Sequence, residues 1–294
     1  IRVGTFEYAA RLEDQLVVQR LADYSIQRHF PDIDPADDGR YLAFLEAVIN
    51  AQASLVAQWM LVGFIHGVLN TDNVTIASET IDYGPCAFMD RYDHATVFSS
   101  IDHQGRYAYG NQPSITQWNL ARLAETLLPH ISEDEDEAVT LATNALNGFS
   151  DVYEQRWMDG MATKLGLALP SEADKNLASE YLTLLGANHI DYTDSFRALA
   201  QDLRGDAHAF SALFTPSEIP DDWLAAWHER ITEQGIAPGV VADTMDEHNP
   251  LYIPRNHLVD EALVAATAGD YAPFTRLVEV VTQPYVERDG QEHY

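Results

Sequence analysis

The chain has 294 residues, 46% of them hydrophobic, which is enough for a large core or for two domains sharing an interface. Basic residues number 17 against 46 acidic ones, a formal net charge of -29, and such a surface repels nucleic-acid backbones and anionic lipid, which excludes both as primary partners. A single cysteine, Cys86, excludes an intrachain disulfide framework and a cysteine-based zinc site, and it fits a reducing, cytoplasmic setting.

No apolar run approaches the ~20 residues that span a bilayer. The chain opens on IRVGTFEY, without an initiator Met and without the n-region and h-region of a signal peptide, and reads as the interior of a longer protein. Lys164 and Lys175 are the only lysines. An acidic, lysine-poor surface suits solubility in high salt, so the composition predicts a halophilic source. Equal stability in dilute buffer and in molar salt would remove that expectation.

Helical periodicity dominates. Tyr8 to Phe30 has apolar residues three and four apart and predicts one helix ending at Pro31. Tyr41 to Phe64 is apolar all round and predicts a buried central helix. Two short β-like runs follow, Val74 to Ile76 and Thr80–Ile81, with ASE turning between them as a small hairpin. Tyr83 to Gln112 lacks a period and reads as one long ordered loop, a kind of segment that is usually functional in a compact domain. Pro113 opens the next helix, and Ser132 is expected to cap the acidic run EDEDEAV, whose charges suit a first turn. Further helical patterns run through ADKNLASEYLTLLGA, YTDSFRALAQDLR, PDDWLAAWHERITEQG, PRNHLVDEALVAATAGD and YAPFTRLVEVVTQPY. The chain therefore reads as mainly α with one small β element.

The chemistry concentrates in FIHGVLNTDNVTIASETIDYGP, Phe64 to Pro85. Transfer from ATP needs a divalent cation to offset the triphosphate charge, and Mg²⁺ takes oxygen ligands, usually one or two carboxylates plus phosphate and water. It also needs a base for the acceptor hydroxyl. Asn73 ends a loop that starts at His66–Gly67, and Asp82 follows in IDYG. Small-molecule kinases of the aminoglycoside and choline type show H-G-D-x-x-x-x-N, then a hairpin, then I-D-[FYW]-G. Laid on this chain, the base position becomes Val68, which accepts no proton, and the nearest carboxylate is Asp72. The bland reading makes Asp72–Asn73 an Asx turn and DYG another turn.

HGVLNTDN, TIDYGPCAFMDRYD, VFSSIDHQGRYAYGNQP and WNLARLAETLLP closely resemble the selenoprotein O family (SelO, YdiU-type proteins). The likeness extends upstream through IRVGTFEY and LADYSIQRHFP, and downstream through KLGL, DYTDSFRAL, NPLYIPRN and AGDYAPFTRL, so it covers nearly the whole chain. The resemblance implies a kinase-like fold, here a C-lobe over residues 1–167 with its small β-hairpin at the active site, and a helical C-terminal extension over 168–294. It implies protein adenylylation with ATP and Mg²⁺ or Mn²⁺, in which AMP passes to Ser, Thr or Tyr hydroxyls of protein substrates. ATP is bound inverted relative to ordinary kinases, which removes the need for a base at Val68. Carried over by position, Asp72 matches the proton acceptor, Asn73 and Asp82 match the metal ligands, with Asp82 also near the nucleotide, and Arg2 matches an arginine on the phosphates. A guanidinium suits bidentate phosphate contact.

Two departures stand beside this. The family's N-terminal lobe, with its glycine-rich loop and ion-paired lysine, would precede Ile1, so the segment by itself need not turn over. The sequence here ends VERDGQEHY without a tail cysteine, so redox regulation through a tail thiol is not carried over from the resemblance. Kinase-type phosphoryl transfer and a non-catalytic pseudokinase binding module are the alternative readings.

Other residues carry weaker expectations. His66 is expected to orient the loop through backbone hydrogen bonds. Asp93, His94, Asp102 and His103 offer zinc-type ligands without the HExxH spacing, and a polar activation-segment-like loop is the preferred reading. Cys86 reads as buried and inert. GRYAYGNQP, Gly105 to Pro113, either shapes a protein-substrate groove or anchors the Pro113 helix. Trp118, Trp157, Trp223 and Trp227 are expected in the core, and Arg255–Asn256 are expected to cap and tie down a helix.

Overall fold

The computed structural model describes residues 1–12, 14–168, 171–291 and 294. In chain order these form α1 (Val3–Ala10), α2 (Gln15–His29), α3 (Arg40–Leu61), β1 (Phe64–Ile65), β2 (Ala87–Phe88), α4 (Gln112–Ile131), α5 (Glu135–Lys164), α6 (Glu172–Ala187), α7 (Tyr192–Leu203), α8 (Asp221–Glu233), α9 (Pro238–His248), α10 (Asn256–Thr267) and α11 (Ala272–Val281). The protein is mainly helical, as the periodicity predicts. Among the described residues no helix is long and apolar enough to cross a membrane.

The chain divides into two compact units, the first Ile1–Trp59, His66–Cys86 and Val97–Trp157, the second Met60–Ile65, Ala87–Thr96 and Met158–Tyr294. In the first unit α1 packs on α2 and α4. Phe6 of α1 and Phe30 meet the ring of Phe44 on α3 at 5.9 and 5.6 Å. Phe44, Leu45, Val48, Ala53 and Val56 of α3 are all fully buried, which is why that helix carries apolar residues on every side. Each such Phe, Leu or Val side chain contributes about 1.5–3 kcal/mol through area removed from water.

The second unit centres on an aromatic cluster. Tyr181 packs against Phe196, Phe210 and Trp223, and Trp223 stacks on Trp227. Both indoles spend their N–H on backbone carbonyls, Trp223 on Leu177 at 3.0 Å and Trp227 on Leu165 at 2.9 Å. Arg255 ties α10 to this unit through Asp90, Asp191 and Asp194, at 2.7, 2.7 and 2.9 Å. It does so as an ion-pair hub and not as a cap, since its side chain makes no capping hydrogen bond.

Several expectations are corrected. The single helix over Tyr8 to Phe30 is two helices, because Asp14 accepts a hydrogen bond from the Leu16 N–H and starts α2 afresh. α1 begins upstream, at Val3. The central helix stops at Leu61, since Phe64–Ile65 leave it to pair antiparallel with Ala87–Phe88. The helix after Ser132 is capped by Asp134, whose carboxylate accepts from the Glu137 N–H at 3.1 Å; Ser132 ends α4 instead. α9 was not foreseen, although Pro238 opens it and Val241, Ala242 and Met245 give it a buried face.

The hairpin between Val74 to Ile76 and Thr80–Ile81 does not form. The Thr75 hydroxyl donates to the Glu79 carbonyl and accepts from its N–H, closing a tight turn in place of a ladder. The 74–76 run pairs with the start of the chain, Val3 N–H to Val74 O at 2.8 Å and Ile76 N–H to Ile1 O at 3.1 Å, around an Arg2–Thr75 bridge.

Candidate active site

This N-terminal pairing builds the site. It sets Arg2 beside the segment that follows Asn73, so residues about 70 positions apart share one strip of the first unit. The turn itself is a 3-10 helix, Thr71–Asn73, opened by Asn70, whose side chain accepts from the Asp72 N–H at 3.0 Å. The Asx residue is therefore Asn70, which leaves the side chains of Asp72 and Asn73 for other work. Asn73 is buried, and its Nδ2 donates to the Val68 carbonyl at 2.8 Å. With the amide nitrogen committed, Oδ1 is the atom it can offer a cation.

Asp72 is exposed, and its carboxylate lies so close to Gly4 that a Cβ there would collide with it. Gly4 belongs to the first turn of α1, where unpaired N–H groups favour a negative charge. Arg2, the residue before that helix, is exposed, with its N–H bonded to the Thr5 hydroxyl at 3.1 Å.

Asp82 is exposed and takes a left-handed backbone, φ 58°, in a segment pinned by His66. His66 Nε2 lies 2.8 Å from the Ile81 carbonyl. A carbonyl only accepts, so Nε2 carries the proton. Burial lowers the pKa of His66, while the Ile81 bond and the Asp82 charge pull the other way. Its role as an orienting residue, read from the sequence, matches this contact. Trp59 adds a bond from Nε1 to the Thr80 hydroxyl at 2.9 Å.

Gly67 is fixed by geometry. Its φ is +84°, and a Cβ would meet the backbone carbonyl of Phe98 at 2.5 Å and that of Pro85 closer still. Three buried amides that sequence reasoning missed hold the rest of the loop. Gln112 accepts from the His66 N–H at 2.9 Å, Asn119 donates to the Leu69 carbonyl at 3.0 Å, and Gln52 donates to the Thr75 carbonyl. The only sequence signal for them was a polar residue on an otherwise apolar helical face.

Arg2, Asp72 and Asn73 are thus brought together, and Asp82 is tied to their loop through His66. Asn73 and Asp82 are not hydrogen-bonded to each other. No cluster of three or more His, Cys, Asp or Glu suited to a metal occurs among the described residues. One carboxylate and one amide oxygen are the ligand types that Mg²⁺ takes alongside phosphate and water. Asp102 serves its own loop, accepting from the Arg106 and Tyr107 N–H groups at 2.9 and 2.7 Å, and Asp93 accepts from the Ala95 N–H. Cys86 is half-buried, not fully buried, and burial pushes its thiol pKa up. Trp223 and Trp227 are core, Trp157 is half-buried, and Trp118, expected in the core, is instead 42% exposed.

The chain is thus a mainly helical protein whose Asp72–Asn73 turn and exposed Asp82 lie on one anchored loop system. The family described as Protein adenylyltransferase SelO matches residues 1–282, and the chain belongs to that family. Similar proteins named Protein nucleotidyltransferase YdiU include one from Rhodococcus jostii (strain RHA1), 53% identical over 298 residues, covering 100% of this chain and 57% of the relative. Another from Chromobacterium violaceum is 51% identical over 296 residues, covering 100% and 62%, and one from Mycobacterium sp. (strain KMS) is 54% identical over 295 residues, covering 100% and 60%. The chain spans about three-fifths of the length of these relatives.

Proposed function

We propose that the chain is the part of a protein adenylyltransferase that carries the acceptor-activating and metal-binding loops. The observation that carries this reading is the pairing of Ile1–Val3 with residues 74–76, which places Arg2 beside the Asp72–Asn73 turn. On this reading residues 1–167 form a kinase-like C-lobe and 168–294 a helical extension, in a cytoplasmic enzyme that uses ATP. Asn73 Oδ1 and the Asp82 carboxylate would hold Mg²⁺ or Mn²⁺, which when bound offsets triphosphate charge. The guanidinium of Arg2 steadies the phosphates. Asp72 takes the proton as a Ser, Thr or Tyr hydroxyl of a protein substrate bonds to the α-phosphorus, and the bond to the pyrophosphate oxygen breaks. His66 and the three buried amides keep the loop in place without touching the reacting atoms.

The test uses the full-length gene product with α-³²P-ATP and Mg²⁺ or Mn²⁺, beside Asp82→Ala. Label on protein that disappears in the variant is the expected result. Transfer of label only from γ-³²P-ATP would make the protein a kinase. Absence of both labels in a protein that binds ATP would make it a binding module.

A further inference from the structure

Trp118 is exposed on α4 with two guanidiniums against its ring, Arg106 at 4.7 Å and Arg122 at 5.2 Å from the ring centroid. Arg122 is paired with Glu125, but Arg106 is exposed and makes no ion pair among the described residues. On a chain with 17 basic and 46 acidic residues, an unpaired arginine stacked on an exposed indole runs against the background charge.

The patch is preorganised. Asp102 fixes the backbone of Arg106 and Tyr107, and Asn111 Nδ2 donates to the Gly105 carbonyl at 2.7 Å, so the loop presenting Arg106 is closed at both ends. The same segment exposes Phe98 and Ile101, at 38% and 73%. It also borders the site within the first unit. The Phe98 carbonyl abuts Gly67, and Asn119, next to Trp118, is bonded to Leu69. Exposed apolar side chains beside a cation that makes no ion pair among the described residues take an apolar segment bearing a carboxylate.

We infer that the surface of Arg106, Trp118, Phe98 and Ile101 docks an acidic, aromatic-containing segment of the protein substrate beside its acceptor hydroxyl. This rests on the proposed transferase reading for the identity of the partner.

The test is fluorescence anisotropy with labelled peptides, read without ATP or metal, so that loss of AMP transfer and loss of docking are separate results. Two peptides share a Tyr acceptor and a Phe, flanked in one by Glu and in the other by Lys. The Glu-flanked peptide should bind about tenfold more tightly at physiological salt, in proportion to one reversed charge contact at short range. Arg106→Glu should invert that preference, and Trp118→Ala should weaken both peptides, with circular dichroism unchanged. Preference for the Lys-flanked peptide, equal binding of the two, or affinity unmoved by both variants would overturn the inference.

Discussion

Asn119→Ala tests whether the Asn73-bearing loop is held from α4. Asn119 is fully buried, and its Nδ2 donates to the Leu69 carbonyl at 3.0 Å and to the Ile115 carbonyl at 2.9 Å. Ile115 lies four residues back in the same helix, so its carbonyl keeps the backbone bond and loses little. Leu69 is 1% exposed, and its carbonyl loses a donor that water cannot easily replace, at about 1–3 kcal/mol. The void left by the side chain adds about 1 kcal/mol. Two terms oppose this. Asn119 Oδ1 is buried without a partner among the described residues, so deleting it recovers about 1 kcal/mol, and alanine improves helix propensity by about 0.6 kcal/mol. The balance is a loss of about 1–2 kcal/mol. Asn119→Leu fills the void and leaves the carbonyl term, so it should still lose about 1 kcal/mol. Urea unfolding followed by circular dichroism, at unchanged m, measures both. Two variants as stable as the parent would refute the claim that α4 anchors this loop.

Gly67→Ala meets a left-handed backbone costing about 1–2 kcal/mol and two backbone carbonyls that cannot move separately, so a loss above about 3 kcal/mol is expected in the same urea assay, and one below about 1 kcal/mol would contradict the geometry. Lys164 is buried with its ammonium 3.9 Å from the Phe196 ring centroid, and desolvation lowers its pKa from 10.5 to about 7. Between those values the unfolded chain binds a proton that the folded chain does not, so this group makes stability rise with pH across that window, with the penalty fully present below it. Lys164→Met should therefore stabilise the protein by a few kcal/mol at about pH 6 and flatten the rise toward about pH 9, and a variant less stable at the lower pH would reverse the argument.

The helices were legible wherever a periodic apolar face met a start or stop signal, as at Pro113 and at Asp221–Asp222 before Trp223. They were misread where a second signal sat inside a continuing period. Asp14 interrupts the Tyr8 to Phe30 pattern, and Asp134 outcompetes Ser132 two residues earlier. The hairpin failed for a different reason. Val74 to Ile76 has strand chemistry, but period says nothing about which partner a strand takes, and the partner is the start of the chain. Trp118 shows the same blindness, since its helical spacing fits a core position, while the arginines that stack on it lie on a loop and on the next turn of α4.

The residues expected at the site were legible as candidates because Arg2, Asp72 and Asp82 are charged and sit in a recognisable motif, and all three are exposed. What fixes them was not, because it is uncharged. Gln52, Gln112 and Asn119 are buried amides that no motif marks, whereas Asn73 and His66, also buried, stand within the motif, and burial holds His66 toward its neutral form. Neutral donors suit that task here. A buried carboxylate or guanidinium would carry a desolvation penalty of several kcal/mol unless paired, and pairing would consume the few cations of a chain at -29. An amide satisfies a loop carbonyl at far lower cost and adds no charge beside Asp72 and Asp82. The carboxylates of Asp72 and Asp82 are then left exposed at the loop surface.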